Sequence, residues 1–251
     1  MLIALDAMGG DFAPAEIVAG AILAQRELHI EVALVGDRSI VAAEIVRQGE
    51  VPDKYQIVHA SESIAMDEHP AQAVRTKKDA SINVGMSMVK RGVATAFVSA
   101  GNTGAVMASA LMTLQRIPGI ERPALGMVAP FSARGVFVLD VGANADVKPS
   151  YMVQFAQMGS IYAERMLGIP NPRVALLNIG AEDTKGSELV QEVYGRLRDL
   201  PGINFVGNIE GGETHKVTKG DVVIVPAGSA HMYCEVNGEI TYLEVRFVAP
   251  K

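Results

Sequence analysis

Four short stretches concentrate the side chains suited to chemistry. They are Asp6-Ala7-Met8-Gly9-Gly10-Asp11, Ser99-Ala100-Gly101-Asn102-Thr103-Gly104-Ala105, Asp140-Val141-Gly142-Ala143-Asn144-Ala145-Asp146, and Asn178-Ile179-Gly180-Ala181-Glu182-Asp183-Thr184-Lys185-Gly186. Each follows a short apolar run and mixes glycine with Asn, Asp, Thr or Lys. The second stretch is the most informative. A strand ends at Ser99, Gly101 and Gly104 let the backbone turn tightly, and a helical pattern starts at Thr103. Orphan N–H groups and the dipole at a helix start favour an anion. Asn102 and Thr103 add side-chain donors. The plain alternative is a strand-to-helix turn with a capping residue, and one such loop alone fits that reading. Four polar loops at four strand ends point instead to a shared crevice.

The elements that must position these loops alternate. Leu2 to Leu5, Glu31 to Val35, Tyr55 to His59, Ala94 to Ser99, Val174 to Asn178 and Ile203 to Val206 read as strands. Helical patterns run from Pro14 to Glu27, up to Gln48, from Ala71 to Arg91 with a break near Asp79, from Thr103 to Leu114, from Pro149 to Leu167, and from Ser187 to Leu200. Leu125 to Ala129 and Val136 to Leu139 are two further strands around a short loop. The alternation predicts an α/β fold: a doubly wound, mostly parallel sheet with helices on both faces. Near-continuous apolar strands fit burial on both sides. Ligands in such sheets bind beyond the carboxyl ends of the strands, where the four loops lie.

Composition excludes several classes. The 251 residues are 49% hydrophobic and 20% charged, with a net charge of -6. An acidic chain does not coat nucleic acid or an anionic membrane non-specifically, so no nucleic-acid partner is expected. Aromatic residues are 5% and Trp is absent, which leaves few stacking platforms for bases. The single Cys234 allows no intrachain disulfide. No basic start precedes Asp6 and no apolar run reaches about 20 residues, so neither a secretory signal nor a transmembrane segment is expected. The expected location is cytoplasmic. Neither G-x-x-x-x-G-K-[ST] nor a G-x-G-x-x-G after the first strand occurs, which disfavours a P-loop ATPase and a nicotinamide dehydrogenase.

Asp6 to Pro14, with its Gly9-Gly10-Asp11 centre, resembles the opening signature of the PlsX-type phosphate acyltransferases. Ser99 to Ala105 resembles that family's central glycine loop. Three further blocks resemble it in order: Asp140 to Asn144 with Asp146, Pro149 and Gln154 to Gly159; Leu177 to Gly180 with Glu182, Lys185 and Gly186; and Phe205 to Gly211. The resemblance implies a phosphotransacetylase-like fold and transfer of a fatty acyl group from acyl carrier protein to inorganic phosphate. The acyl phosphate formed feeds phospholipid synthesis. It implies no cofactor and no metal, and a homodimer with peripheral membrane contact in the family.

The residues suit that chemistry. Phosphate is largely a dianion near neutral pH, and a thiolate is a good leaving group. Neither a Ser-His-Asp nor a Cys-His set is required, only a cradle and stabilisation of developing charge. Phosphate binding is assigned to Gly101, Asn102, Thr103 and Gly104. Asn102, Asn144, Asn178 and Lys185 are the candidates for orienting phosphate or stabilising charge. Asp6, Gly9, Gly10, Asp140 and Asp146 are further pocket candidates. Arg75 and Lys78, three apart on one helix side, are candidates for binding phosphate or meeting the acidic surface of acyl carrier protein. Lys77 is read as part of a solvated helix face, and His69 as a loop residue.

After Gly211 the pattern changes. Val222 to Val225, Met232 to Val236 and Ile240 to Val248 read as strands with no helix between them, and Asn237-Gly238 is a hairpin signal. Gly220 to His231 resembles the second motif of cupins, with Glu235 where that motif has Asn. The expected domains are therefore an acyltransferase body at 1–211 and a cupin-like β fragment at 212–251. The chain has five His and no H-x-H pair, so His231 is read as structural. The family's further segment, which by resemblance completes the sheet, the dimer and its membrane-facing element, is replaced here, which puts the dimer in question. Three alternatives stay open: a non-catalytic composite, a phosphotransacetylase-like enzyme using coenzyme A, and a cupin-type binder.

Overall fold

The structure is a computed structural model, and it describes residues 1–129, 136–142, 144, 146–210 and 222–224. The chain forms two compact units that divide after Ile117. Strands and helices alternate through most of the described residues, and the strands are shared between two sheets.

The first unit runs β1 (Leu2–Asp6), α1 (Ala15–Leu28), β2 (Glu31–Gly36), α2 (Arg38–Arg47), β3 (Gln56–His59), α3 (Pro70–Thr76), α4 (Ser81–Lys90), β4 (Ala96–Val98) and α5 (Thr103–Thr113). Its sheet is all parallel, in the order β3-β2-β1-β4. β2 is buried along nearly its whole length, as a central parallel strand should be. On one face Val18 and Ile22 of α1 and Val41 and Ile45 of α2 pack with Leu34. On the other, Met88 of α4 packs with Ala4, Ala33 and Val35. Pro14 stands at the N-cap of α1, one position before the helix proper.

The second unit runs β5 (Gly126–Ala129), β6 (Val136–Leu139), α6 (Pro149–Met166), β7 (Arg173–Asn178), α7 (Glu188–Arg198), β8 (Asn204–Glu210) and β9 (Val222–Ile224). The sheet order is β5-β6-β9-β7-β8. β5 pairs antiparallel with β6, and the remaining pairs are parallel. Phe155 and Met152 of α6 and Val193 and Leu197 of α7 bury one face against Phe137, Leu139 and Leu176. Ala129, Val136 and Val138 cluster with Leu177 and Ile209 on the other.

One strand-like run expected beyond residue 211 is thus hydrogen-bonded into the second sheet. β9 lies parallel between β6 and β7. The rest of 212–251, including the cupin-like motif with His231 and the Asn237-Gly238 turn, lies outside the described residues. Among the described residues, no helix is long and apolar enough to cross a membrane.

The expected helix from Ala71 to Arg91 is two helices separated by residues 77–80. Side chains take the groups that a continuous helix needs for itself. Asn83 Nδ2 donates to the carbonyls of Val74 at 3.0 Å and Lys77 at 2.8 Å. The Asp79 carboxylate accepts from both the N–H and the hydroxyl of Ser61.

Candidate active site

In the first unit the strand order reverses at β1. The chain proceeds from β1 to β2 and β3 on one side, then places β4 on the other. Such a reversal opens a crevice beyond the carboxyl ends of the two strands. The loops after β1 and β4 are the first two polar stretches, and they are tied together there. Asp6, fully buried, accepts from the Met8 N–H at 3.1 Å and from the Ser99 hydroxyl at 2.7 Å. Ser99 Oγ in turn accepts from the Gly101 N–H at 3.0 Å. Gly9 sits against this joint. A Cβ there would lie 2.9 Å from both Gly101 N and Ser99 Oγ and closer still to the Asp6 carboxylate. Asp6, Gly9, Gly10, Gly101, Asn102, Thr103 and Gly104 are therefore brought to one place.

Asn102 has a different task from the one its type suggests. It is buried and caps α5, its Oδ1 accepting from the Ala105 N–H at 3.0 Å. Its Nδ2 donates to the carbonyls of Ala65, Met66 and Glu68 at 3.3, 3.2 and 3.1 Å. Both ends of the amide are committed to the protein. What remains at the helix start is the N–H groups of Thr103 and Gly104, orphan donors of the first turn. The exposed Thr103 adds a hydroxyl with no partner among the described residues.

The 61–69 segment that Asn102 holds is closed by an ion pair. Lys77 Nζ lies 2.6 Å from Glu68 Oε1 and 2.8 Å from the Ser63 carbonyl. Lys77 is thus a tie across the loop, not part of a solvated helix face. The Lys77 hydrogen bond, then the Ala65 N–H, holds the Glu68 carboxyl below the usual carboxylate range. The hydroxyl and N–H of Ser61 do the same for Asp79. Arg75 and Lys78 do not share a helix side, because α3 ends at Thr76 and Lys78 lies in the following turn. Both are exposed, without an ion-pair partner among the described residues. His69 is an exposed N-cap residue of α3 that makes no side-chain cap.

In the second unit the other two polar stretches follow β6 and β7, at the same end of the sheet with β9 between them. Asn144 Nδ2 donates to Asp140 Oδ2 and to the Pro123 carbonyl, each at 3.0 Å. The buried Asn178 donates to the Lys185 carbonyl at 3.0 Å and accepts from the Ile179 N–H at 2.8 Å. These asparagines frame their loops. Lys185 itself is exposed, and its ammonium has no partner among the described residues. Asp146 is also exposed.

Two residues lie outside the set expected from sequence. Ser99 was visible only as the first residue of the second polar stretch and its family-like block, with no role assigned to it. Asn208, 7% exposed, donates to the Glu182 carbonyl at 2.7 Å and so reaches the Lys185 loop from β8. Its only sequence signal is its place in the fifth family-like block.

A family model described as "Fatty acid synthesis protein" matches residues 1–237. The chain is 55% identical over 224 residues to a phosphate acyltransferase of Desulfitobacterium hafniense (strain Y51), covering 89% of this chain and 66% of that protein. It is 56% identical over 213 residues to a phosphate acyltransferase of Heliobacterium modesticaldum, covering 84% and 63%. The chain thus spans just under two thirds of the length of these relatives. Among solved structures, a phosphotransacetylase from Streptococcus pyogenes matches with a TM-score of 0.63 at 17% identity, over 90% of this chain and 77% of that one. The EutD phosphotransacetylase from Staphylococcus aureus matches at 0.61 and 18%, with the same coverage. These two share the fold.

Proposed function

We infer that this chain, which belongs to the fatty acid synthesis protein family, moves a fatty acyl group from acyl carrier protein to inorganic phosphate, yielding acyl phosphate for phospholipid synthesis. The observation that carries the reading is the α5 start at the strand reversal. There, buried Asp6 and Asn102 and half-buried Ser99 are spent on backbone geometry, and the N–H groups of Thr103 and Gly104 are first-turn donors with no intrahelical partner. That is an anion cradle without an acid or a base.

Phosphate is held by those N–H groups and the Thr103 hydroxyl. One of its oxygens attacks the thioester carbonyl carbon. A C–O bond forms, the C–S bond breaks, and the thiolate leaves with the electron pair and takes a proton from solvent. Lys185 is the cation assigned to charge on substrate. Exposed Arg75 and Lys78 suit the acidic surface of acyl carrier protein. The reaction belongs in the cytoplasm, and the homodimer and peripheral membrane contact implied by the family resemblance belong to the same proposal. So does the division of the chain at residue 211 into body and cupin-like tail, with β9 of that tail paired into the second sheet.

The test is thiol release by the purified chain from acyl-acyl carrier protein with and without inorganic phosphate. The expected result is release that saturates with phosphate. Release indifferent to phosphate, or none, overturns the reading. Faster reaction with an acyl-coenzyme A thioester would reassign the donor.

A further inference from the structure

The buried amide of Asn208 carries an unusual cost. Its Oδ1 has no hydrogen-bond partner among the described residues, and it is the one described buried side-chain atom in that condition. An unmet buried acceptor costs about 1–3 kcal/mol. An apolar side chain of similar size would avoid that cost. The other end of the amide explains its presence. Nδ2 donates at 2.7 Å to the Glu182 carbonyl, which also accepts from the Lys185 N–H at 3.2 Å. The Lys185 carbonyl is held at 3.0 Å by Asn178. Two buried asparagines, one at the end of β7 and one on β8, thus fix the backbone of Lys185 on both sides.

The strand is bent to achieve this. Val174 pairs with Phe205, and Leu176 pairs with Asn208, so two steps along β7 face three along β8. Gly207 stands in this bulge at φ 95°, where any other residue is strained. Val174 and Leu176 face the core shared with α6 and α7. The extra residue therefore turns Asn208 to the face that Phe205 also occupies. In a regular strand, an odd step of three would have pointed it the other way.

We propose that Asn208 is a positioning residue, brought inward by the Gly207 bulge to hold the 182–185 turn and thereby the Lys185 ammonium in place for substrate charge. The part concerning substrate rests on the acyl-transfer reading given above. The test uses the full chain with Asn208→Leu and Asn208→Asp. In Asn208→Leu, the melting temperature holds or rises, because the unmet acceptor is gone. The Lys185 amide loses protection against hydrogen exchange while β7 keeps its own. Turnover per folded molecule falls roughly ten- to a hundredfold, the scale of a misplaced charged group. Parental protection at Lys185 in a folded Asn208→Leu overturns the proposal, and so does parental turnover.

Should Asn208→Leu not fold, Asn208→Asp decides. Its carboxyl donates to the Glu182 carbonyl only when neutral, so the protection factor of Lys185 relative to the parent must drop as pH rises. A flat ratio overturns the proposal. If the parent releases no thiol in response to phosphate, the functional reading fails. The exchange comparison still decides whether Asn208 holds the Lys185 turn.

Discussion

Replacing Asn102 by Ala separates two roles that sequence alone does not. A residue that binds phosphate through its amide would, on truncation, weaken phosphate binding and leave the fold alone. The geometry predicts otherwise. Asn102→Ala removes the α5 cap, worth about 1 kcal/mol. It also removes two N–H donors that serve the carbonyls of Ala65, Met66 and Glu68. At about 1 kcal/mol net for each donor, the loop side adds roughly 2 kcal/mol. The expected loss is about 3 kcal/mol, which lowers the melting temperature of a unit this size by roughly 10 °C. Phosphate affinity falls as well, because the Thr103 and Gly104 N–H groups lose their fixed direction. Asn102→Ser keeps an oxygen for the Ala105 N–H and should recover the cap's share, about 1 kcal/mol, with part of the phosphate affinity. Thermal melts with and without phosphate read both quantities, since a ligand of the folded state alone stabilises it by RT ln(1 + [L]/Kd) and so raises the midpoint. An Asn102→Ala chain that melts like the parent and loses only its phosphate response would refute the reasoning and make the amide a direct ligand.

Three further outcomes follow from the same geometry. Gly9→Ala places a methyl against Gly101 N, Ser99 Oγ and the Asp6 carboxylate, none of which is the end of a flexible chain; a loss of about 3 kcal/mol or more is expected in a denaturant melt. Lys185→Ala removes an exposed side chain, so its melt stays within about 0.5 kcal/mol of the parent while phosphate-dependent thiol release drops, and equal turnover in the two chains would remove Lys185 from the site. The Glu68 and Asp79 carboxyls titrate below their usual range when folded. Their contribution is therefore complete above the ordinary carboxylate pKa of about 4 and is lost as pH falls through the lower folded values. Protease nicking or hydrogen exchange in 61–69 should rise relative to α6 between about pH 4 and pH 2, and parallel loosening of α6 and the 61–69 segment would contradict it.

The order of elements was legible because each kind of element leaves a pattern of its own. Buried strands such as β2 read as continuous apolar runs, and helices such as α6 begin at a proline and carry one apolar stripe. Thr103 as a helix start and Val136–Leu139 as a strand were both readable in this way. The division into two sheets was not. Whether β4 pairs with β1 depends on contacts about ninety residues apart, for which local pattern carries no signal. The break between α3 and α4 was only half visible. Asp79 marked its place, but the capture of the Val74 and Lys77 carbonyls by Asn83 is a tertiary event. The inward turn of Asn208 was invisible, because one extra residue in β8 reverses which face it meets.

The same contrast governs the site. Attack by a phosphate dianion on a thioester, with a thiolate leaving, requires no proton transfer by the protein. For that proposed reaction, what matters is where backbone N–H groups point. Glycines at 9 and 101 and a helix start at 103 mark where the loops after β1 and β4 meet, so the place of the proposed cradle could be named from residue types. The roles of the asparagines were not, since an amide that binds an anion and an amide that ties two loops have the same sequence. Only partners decide: Asn102 faces three carbonyls and one N–H, Asn144 a carboxylate and a carbonyl, Asn178 a carbonyl and an N–H. An Nδ2 aimed at carbonyl or carboxylate oxygens is already engaged by acceptors. In the proposed reading, negative charge is therefore left to groups other than these amides, such as the first-turn N–H pair of α5.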